Sequence, residues 1–505
     1  MDAVKRLNHL SKAKIQITGV ANNSQDVLVG NLFLAYPGDS VDGRDYIASA
    51  INQGAAAVFW EKTAYEWPKK WQHIANWPIE GLKKQVSAIA AEVYKPQGDP
   101  LSIIGVTGTN GKTSVTQWLA KAFEYLGKES AVIGTLGIGR LDDLKAGRLT
   151  TPDAVTIHRE MARLSKDHVE YIAMEVSSIG IEEGRVTDVP FRVAVFTNFT
   201  QDHLDYHHDM ASYWKAKEKL FDWPTLKAAV INIDDPYGMK LANALSKTEK
   251  KVITYSVNPD HKPDKEFRCV YAQSIRRIKH IQQITVSDGK NCSVFETELI
   301  GRFNVSNLLA VLATLLLNGF EWEKVIAIIS RLSPPPGRMM RVLPAERPTK
   351  EQETLLPTVI VDYAHTPAAL ENVAEALLPL ARGLDGKLWI VFGCGGDRDQ
   401  EKRSIMGKIA AKWGDRIIVT DDNPRFENPA SIRKMILSGI QNSENVKEIG
   451  DRKQAIFYAI EHAFSNDVVL IAGKGHEDYQ EICGIRQNFS DSKIIQESLN
   501  ERIAL

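Results

Sequence analysis

The chain has 505 residues, more than one hydrophobic core accommodates, so about two to four domains are expected. Lys and Arg total 62 against 63 Asp and Glu, a net charge of -1, with 44% hydrophobic and 25% charged residues. That balance is ordinary for a globular protein and excludes a global pull toward nucleic acid or anionic membrane.

Residues 1 to 97 alternate short apolar runs, Val27–Ala35 and Ala55–Trp60, with helical pattern, and end in the turn-rich KPQGDP at 95–100. From 98 to 335, strand-like runs recur with helices between them: LSIIGVT, VEYIAMEV, FRVAVFTNF and LKAAVINI. The greasiest stretch, Leu308–Leu317, falls far short of a membrane span. SPPPG, Ser333–Gly337, cannot continue a helix and reads as a linker. From 336 to 505 come TVIVDYAH, KLWIVFGCGG, DRIIVTDDNP and DVVLIAGKGHE. Strands alternating with helices predict an α/β protein of doubly wound parallel sheets. MDAVKRLNHLSKAKIQ has no apolar signal segment, and Cys269, Cys292, Cys394 and Cys483 lie far apart with no CxxC. A reduced, cytoplasmic protein is expected.

Seven of these runs end in polar or glycine-rich residues, where ligands of open α/β sheets bind. The stretch GVTGTNGKTSVTQWLA, from Gly105 to Ala120, resembles a phosphate-binding loop although Val106 stands where its first glycine is usual. Gly108, Thr109, Asn110 and Gly111 let the backbone curl its N–H groups around phosphate. Lys112 can reach the β- and γ-phosphates, the Thr113 hydroxyl can sit on Mg²⁺, Ser114 is a further ATP-binding candidate, and the helix from Lys112 onward adds its N-terminal dipole. Glu175 ends an otherwise apolar strand, where a charge needs a pair or a metal. His203 follows the next strand and suits a role at the magnesium. His207 and His208 are expected on the surface; an H-x-x-x-H zinc site finds no third ligand.

GTNGKTS, TTPD at 150–153, EVSS, TNFTQDHLDYH, YWKAKEKLF, GRFNVSN, DYAHTP, GCGGDRD, DNPR and GKGHEDYQ occur in the order found in Mur ligases. The resemblance spans the whole chain and is closest to the E-type branch. It implies three α/β domains: 1–97 binding a uridine nucleotide, 98–335 a P-loop domain binding ATP, and 336–505 a Rossmann-like domain binding an amino acid. The implied substrates are small molecules: ATP, UDP-N-acetylmuramoyl-L-alanyl-D-glutamate (UDP-MurNAc-L-Ala-D-Glu) and meso-diaminopimelate. ATP would phosphorylate a carboxylate, and an amine would displace phosphate to leave an amide. A monomer is expected, with Mg²⁺, no nucleic acid and no membrane insertion.

Residue by residue, the resemblance assigns Thr150, Thr151, Ser177, Glu183 and Arg185 to the muramyl-dipeptide portion and Ser24 to uridine. Lys217 matches a lysine that the family carbamylates (N6-carboxylysine), which would turn a cation into a carboxylate able to bind a second Mg²⁺. On sequence alone Lys217 is one more lysine on a charged, solvated helix face. Asn304, Asp362, Tyr363 and His365 resemble the adenosine side, and Arg338 the linker arginine that reaches ATP. Arg398, Asp422, Asn423, Pro424, Arg425, Gly473 and Glu477 resemble the acceptor site, with the Asp–Asn–Pro run expected to turn the chain sharply before Arg425. The branch's usual letters differ at Asn23–Gln25 (Asp-Ser-Arg), Ile179 (His), Glu183 (Gln) and Met340 (Glu). Other amide ligases of the superfamily, an L-lysine-adding ligase, the F-type Mur ligase and folylpolyglutamate synthase, stay open as alternatives. So does a P-loop NTPase that forms no amide, although no NKxD signature appears.

Overall fold

The computed structural model describes residues 2–12, 14–38, 41–96, 101–147, 149–260, 267–278, 281–346, 348–441 and 444–504. The expected boundary at 97/98, with most of the KPQGDP turn, lies outside the described residues. Contacts group the chain into two compact units. One comprises Met1–Thr107, Phe123–Ala194 and Ala216–Lys227; the other comprises Gly108–Ala122, Val195–Lys215 and Ala228–Leu505.

In the first unit, β1 (Gly19–Ala21), β2 (Asn31–Ala35), β3 (Ala57–Glu61) and β4 (Ala75–Ile79) pair in parallel in that order. NLFLA and AVFWE are buried at every position because both sheet faces are covered. Leu32, Leu34 and Phe59 pack with the helices Asp2–Lys12 and Val86–Val93. Their neighbours Phe33, Ala35, Val58 and Trp60 point the other way, against the helix Ile47–Asn52. The same unit holds β5 (Ser102–Thr107), β6 (Ser130–Gly134), β7 (Gly137–Gly139) and β8 (Tyr171–Glu175). There β8 pairs in parallel with both β5 and β6, and β7 folds back on β6.

The chain crosses to the second unit within β9 (Phe191–Phe196). Here β10 (Ala228–Asn232), β11 (Lys251–Ser256) and β12 (Arg268–Ile278) run parallel, and β13 (Ile281–Ser287) and β14 (Cys292–Thr297) extend them antiparallel. The greasy run lies in the helix Arg302–Leu317 and is buried from Leu308 to Leu316, as a core helix is. Among the described residues no helix is long and apolar enough to cross a membrane. Ser333–Gly337 carries neither helix nor strand.

A second sheet in this unit has the order β15 (Met340–Val342), β16 (Thr358–Asp362), β20 (Val468–Ala472), β17 (Leu388–Phe392), β18 (Arg416–Val419) and β19 (Val446–Glu448). All of its pairs are parallel except β15 with β16. Val359 and Val361 face one hydrophobic cluster with Ile456 and Ile495, while Ile360 faces another with Leu370, Leu377 and Met406. Helices on both faces are what continuous apolar strands require. They also leave the carboxyl ends of β16, β17, β18 and β20 open to one rim.

Candidate active site

After β5 the chain turns through Gly108 and Gly111, with φ of 145° and 87°. Both need glycine for contact as well as conformation. A Cβ on Gly108 would lie 1.9 Å from Thr197 Oγ1, and one on Gly111 2.5 Å from Asn307 Oδ1. The loop is clamped by residues 197–200. Thr109 N donates to Asn198 O and Asn110 N to Asn198 Oδ1, both at 2.9 Å. Asn198 Nδ2 and Thr197 Oγ1 return to Asn110 O at 3.0 and 2.6 Å. The amides of Thr109 and Asn110 are therefore spent on the clamp. After Gly111, the next backbone amides along the chain are those of the first turn of the helix Lys112–Tyr125. Lys112 Nζ donates to the Gly108 and Thr109 carbonyls at 2.9 Å, lying across the loop.

Arg338 Nη2 donates to Thr113 Oγ1 at 3.1 Å, and its guanidinium lies 4.5 Å from the Tyr363 ring centroid. The loop, the helix Arg302–Leu317 and the end of β16 enclose a cavity of about 570 Å³. Asn110, Gly111, Ser114, Asn304, Asp362 and His365 all line it, as does Arg338. Burial raises the Asp362 carboxyl above its usual range against the pull of Arg338, and Met339 N donates to it at 2.7 Å. Burial lowers the His365 imidazole to about 4, so at neutral pH it is an uncharged ring on the cavity wall. Its Nδ1 bonds Tyr363 O at 2.8 Å.

His203 is left-handed (φ 54°), with Nε2 3.4 Å from Asp202 Oδ2. Burial raises the Asp202 carboxyl, but His203, His365 and Lys402 outweigh it and the net shift is downward. His207 corrects an expectation: it is 5% exposed and packs on Tyr206 and Tyr213, while His208 is exposed as expected. The short helix Leu204–His207 turns His207 inward. Among the described residues, no three His, Cys, Asp or Glu side chains converge as a metal cage.

In the first unit, Glu175 ends β8 at 1% exposure, accepting from Thr135 N at 2.8 Å and Thr135 Oγ1 at 3.2 Å. Thr135 Oγ1 also lies within hydrogen-bond distance, 3.0 Å, of Thr150 Oγ1. Thr151 Oγ1 donates to Glu175 O at 2.9 Å and receives Ser177 N at 2.9 Å. Ser177 caps the helix Ser178–Glu182. Arg185 Nη1 donates to Thr151 O at 2.8 Å, and Arg185 Nε donates to Glu183 Oε2 at 2.7 Å. Thr150, Thr151, Ser177, Glu183 and Arg185 thus form one cluster, and Glu183 pairs with Arg185. Ser24 is buried in the turn Ser24–Asp26. Lys217, on the helix Met210–Glu218, is 1% exposed, which overturns the solvated-face expectation.

At the other rim, β18 leads into Asp422 and Asn423, both buried. The chain bends at Asp422 and turns left-handed at Arg425 itself (φ 50°), not at the Asn-Pro step. Arg425 Nη1 donates to Gly396 O at 2.7 Å, with Nε 3.8 Å from Glu481 Oε2. Asn423 Nδ2 donates to Glu477 Oε2 at 2.9 Å, and Tyr363 OH donates to Glu477 Oε1 at 3.3 Å. A Cβ on Gly473 would come within 2.8 Å of Asp422 Oδ2. Pro424 is buried beside them, whereas Arg398 is exposed.

Three family profiles match: "Mur ligase family, catalytic domain" over residues 16–92, "Mur ligase middle domain" over 106–315 and "Mur ligase, glutamate ligase domain" over 348–475. A protein of Chromobacterium violaceum named UDP-N-acetylmuramoyl-L-alanyl-D-glutamate--2,6-diaminopimelate ligase is 42% identical over 97% of this chain and 96% of its own. This chain belongs to the Mur ligase family. A Neisseria meningitidis protein of the same name is 42% identical over 95% and 94% of the two chains. A solved structure of a ligase of that name superposes with a TM-score of 0.65 at 32% identity, covering 96% and 95%. MurF from Acinetobacter baumannii, at 15% identity and a TM-score of 0.64 over 96% and 94%, shares the fold.

Against this Mur ligase frame, sequence reasoning passed over Asn198, whose clamp defines the loop, and Lys474, which lies at the centre of the Asp422–Glu477 cluster. Asn198 stands inside TNFTQDH and Lys474 inside GKGHE. Both motifs were visible; the partners of these two residues were not.

Proposed function

We propose that this Mur ligase couples ATP cleavage to addition of meso-diaminopimelate to the D-Glu γ-carboxylate of UDP-MurNAc-L-Ala-D-Glu, through an acyl phosphate, in cytoplasmic peptidoglycan precursor synthesis. The observation that carries it is the cavity onto which the phosphate loop, Asn304, Arg338 and the Asp362–His365 segment converge. Two relatives at 42% identity bear the name of that ligase. The proposed division of labour is 1–97 for the uridine end, 98–335 for ATP and 336–505 for the acceptor.

In this reading the adenosine lies against Asn304, Asp362 and His365, with its phosphates on Gly111–Ser114. Lys112 and Arg338 place positive charge where phosphoryl transfer to the substrate carboxylate builds negative charge. Thr150, Thr151, Ser177 and Arg185 hold the muramyl dipeptide, with Ser24 at the uridine. The acceptor's far carboxylate meets Arg425, and its zwitterionic end meets Arg398, Asp422, Asn423, Gly473 and Glu477. The amine then attacks the acyl carbon, the C–O bond to phosphate breaks and the amine loses a proton.

By donor chemistry, Thr113 and His203 of the second unit, and Glu175 and a carbamylated Lys217 of the first, are side chains that would hold Mg²⁺. That ion takes few protein ligands and completes its shell with phosphate and water. Bound there, it supplies charge neutralisation for the phosphates.

The test is phosphate release with ATP, Mg²⁺ and UDP-MurNAc-L-Ala-D-Glu, adding meso-diaminopimelate, L-lysine or D-alanyl-D-alanine in turn. Release is expected with meso-diaminopimelate alone. Equal release with L-lysine, or full-rate hydrolysis with no acceptor, overturns the reading.

A further inference from the structure

Lys474 is 0% exposed, unusual for a lysine, and carries no assigned role. Its Nζ donates to Asn423 Oδ1 and to Glu477 Oε2, each at 3.0 Å, and stands 3.6 Å from Asp422 Oδ1. The backbone that delivers it is locked. Gly473 and Gly475 on either side have φ of 115° and 54°. A Cβ on Gly475 would meet Gly337 O at 2.7 Å and Tyr363 Cβ at 2.8 Å. Behind it, Arg452 is paired with Asp491, both fully buried, and donates to Ala472 O at 2.9 Å.

The ammonium decides which way Asn423 points. Asn423 Oδ1 accepts from Lys474 Nζ and from Glu481 N at 2.9 Å, so its Nδ2 must face Glu477. Glu477 in turn is held from three sides, by Lys474, Asn423 and Tyr363. Counting Asp422, Glu477 and Asp491 against Lys474 and Arg452, three carboxylates face two cations. One negative charge is left over, which suits a ligand ammonium.

We infer that Lys474 is a positioning residue for the incoming amino acid: it orients Asn423 and Glu477 and trims the site's charge so that one ammonium is bound. The inference rests on the proposed function and deepens it. Removing the ammonium leaves two carboxylates facing each other without compensation and frees Asn423 to flip.

The experiment compares wild type with Lys474→Met and Lys474→Arg. It reads acceptor KM and kcat at saturating ATP and UDP-MurNAc-L-Ala-D-Glu, the Kd of those two ligands by calorimetry, and acceptor-independent positional isotope exchange in ATP as a report on acyl phosphate formation. Lys474→Met is expected to lose at least ~30-fold in acceptor kcat/KM, the lower end for truncating one partner of a buried charge pair. Nucleotide and UDP-substrate Kd, and the isotope exchange, should stay within about twofold of wild type, a split that a merely structural lysine would not give. Lys474→Arg keeps the charge in a shape that cannot bond all three partners, and should raise acceptor KM at least ~5-fold. Should Lys474→Met fail to fold, Lys474→Arg decides alone. An unchanged acceptor KM in whichever variant folds, or equal losses in exchange and ligation, overturns the inference. Failure of wild type to release phosphate with meso-diaminopimelate defeats the functional reading instead, before any variant is compared.

Discussion

His158 offers a test of how the first unit is held together. It is 4% exposed on the helix Ala154–Lys166, and its Nε2 lies 3.1 Å from Ser87 Oγ on the helix Val86–Val93. The same hydroxyl accepts from Asp188 N at 3.1 Å, so one serine ties three segments. Burial lowers the imidazole from its ordinary 6.5 to about 4. The sign follows from linkage. Between those values the unfolded chain binds a proton that the folded chain refuses, so stability falls as pH falls. The contribution of the neutral ring is fully present above about pH 6.5 and fully lost below about pH 4. At about 1.4 kcal/mol per pH unit, the loss is on the order of 2 kcal/mol by pH 5 and 3 kcal/mol by pH 4. The assay is urea unfolding followed at pH 7.5 and pH 5.0 for wild type and His158→Gln, which cannot titrate. Other groups titrate equally in both, so the difference between the two pH dependences isolates this residue. His158→Gln should lose about 2 kcal/mol less between the two pH values. An identical loss in both proteins would refute the buried neutral imidazole.

Lys112→Ala removes a charge from the developing transition state and should cut acceptor-dependent phosphate release at least ~10²-fold with the fold retained, by circular dichroism. Near-normal release would dismiss the loop's assignment. Lys217→Ala should abolish most ligation while UDP-substrate binding, read by calorimetry, persists, and a short carboxylic acid in the buffer should restore part of the rate. Full activity without the additive would rule out a carbamate there. Arg425→Ala should lose about 1.5–3 kcal/mol in acceptor kcat/KM, the range for a hydrogen bond to a charge, with ATP KM unmoved. Indifference to the acceptor would remove Arg425 from the site. Gly108→Ala forces a Cβ onto Thr197 Oγ1 in a left-handed backbone and should raise ATP KM about 5- to 30-fold, since about 1–2 kcal/mol of strain falls on the loop. An unchanged ATP KM would show that the Thr197 clamp is dispensable.

The strand-to-loop junctions were legible because two local signals coincide there: an apolar run that must be buried, then residues with bare amides or charge. That is why Glu175 stood out from the residues alone, while Asp362, Asp422 and Gly473 took their roles from the family resemblance at junctions already singled out. What failed to show was set by distant partners. Asn198 is one more asparagine in a turn until it is seen to occupy the amide and carbonyl of Asn110. Lys217 and His207 sit in charged, polar segments, and only packing reveals that both are buried. The antiparallel strands β12–β14 were missed for a different reason. The cross-strand pairs Arg276–Gln283 and Arg277–Gln282 put polar side chains on both faces, and a register shift between Ala272 and Ser274 breaks the two-residue period that marks a strand.

The departures from the branch's usual letters carry the same lesson in reverse, because a changed letter need not change the interaction. Asn23 stands where aspartate is usual, yet its Oδ1 still accepts from Gln25 N to start the turn that buries Ser24. Asparagine and aspartate are near-equivalent caps, so that substitution leaves the backbone where it was. Met340 replaces a glutamate on β15, where it pairs with Val361 as an ordinary strand residue. Glu183 is the exception. A glutamine there would offer Arg185 one neutral acceptor, whereas Glu183 gives it an anion, with Nε bonded at 2.7 Å. A substrate carboxylate approaching Arg185 then meets a guanidinium already partly neutralised. In the proposed reading the remaining attraction falls to neighbouring hydroxyls such as that of Ser177, since the Thr151 proton is already given to Glu175 O. If these residues bind the muramyl dipeptide as proposed, its recognition shifts in this chain from one ion pair toward neighbouring hydroxyls.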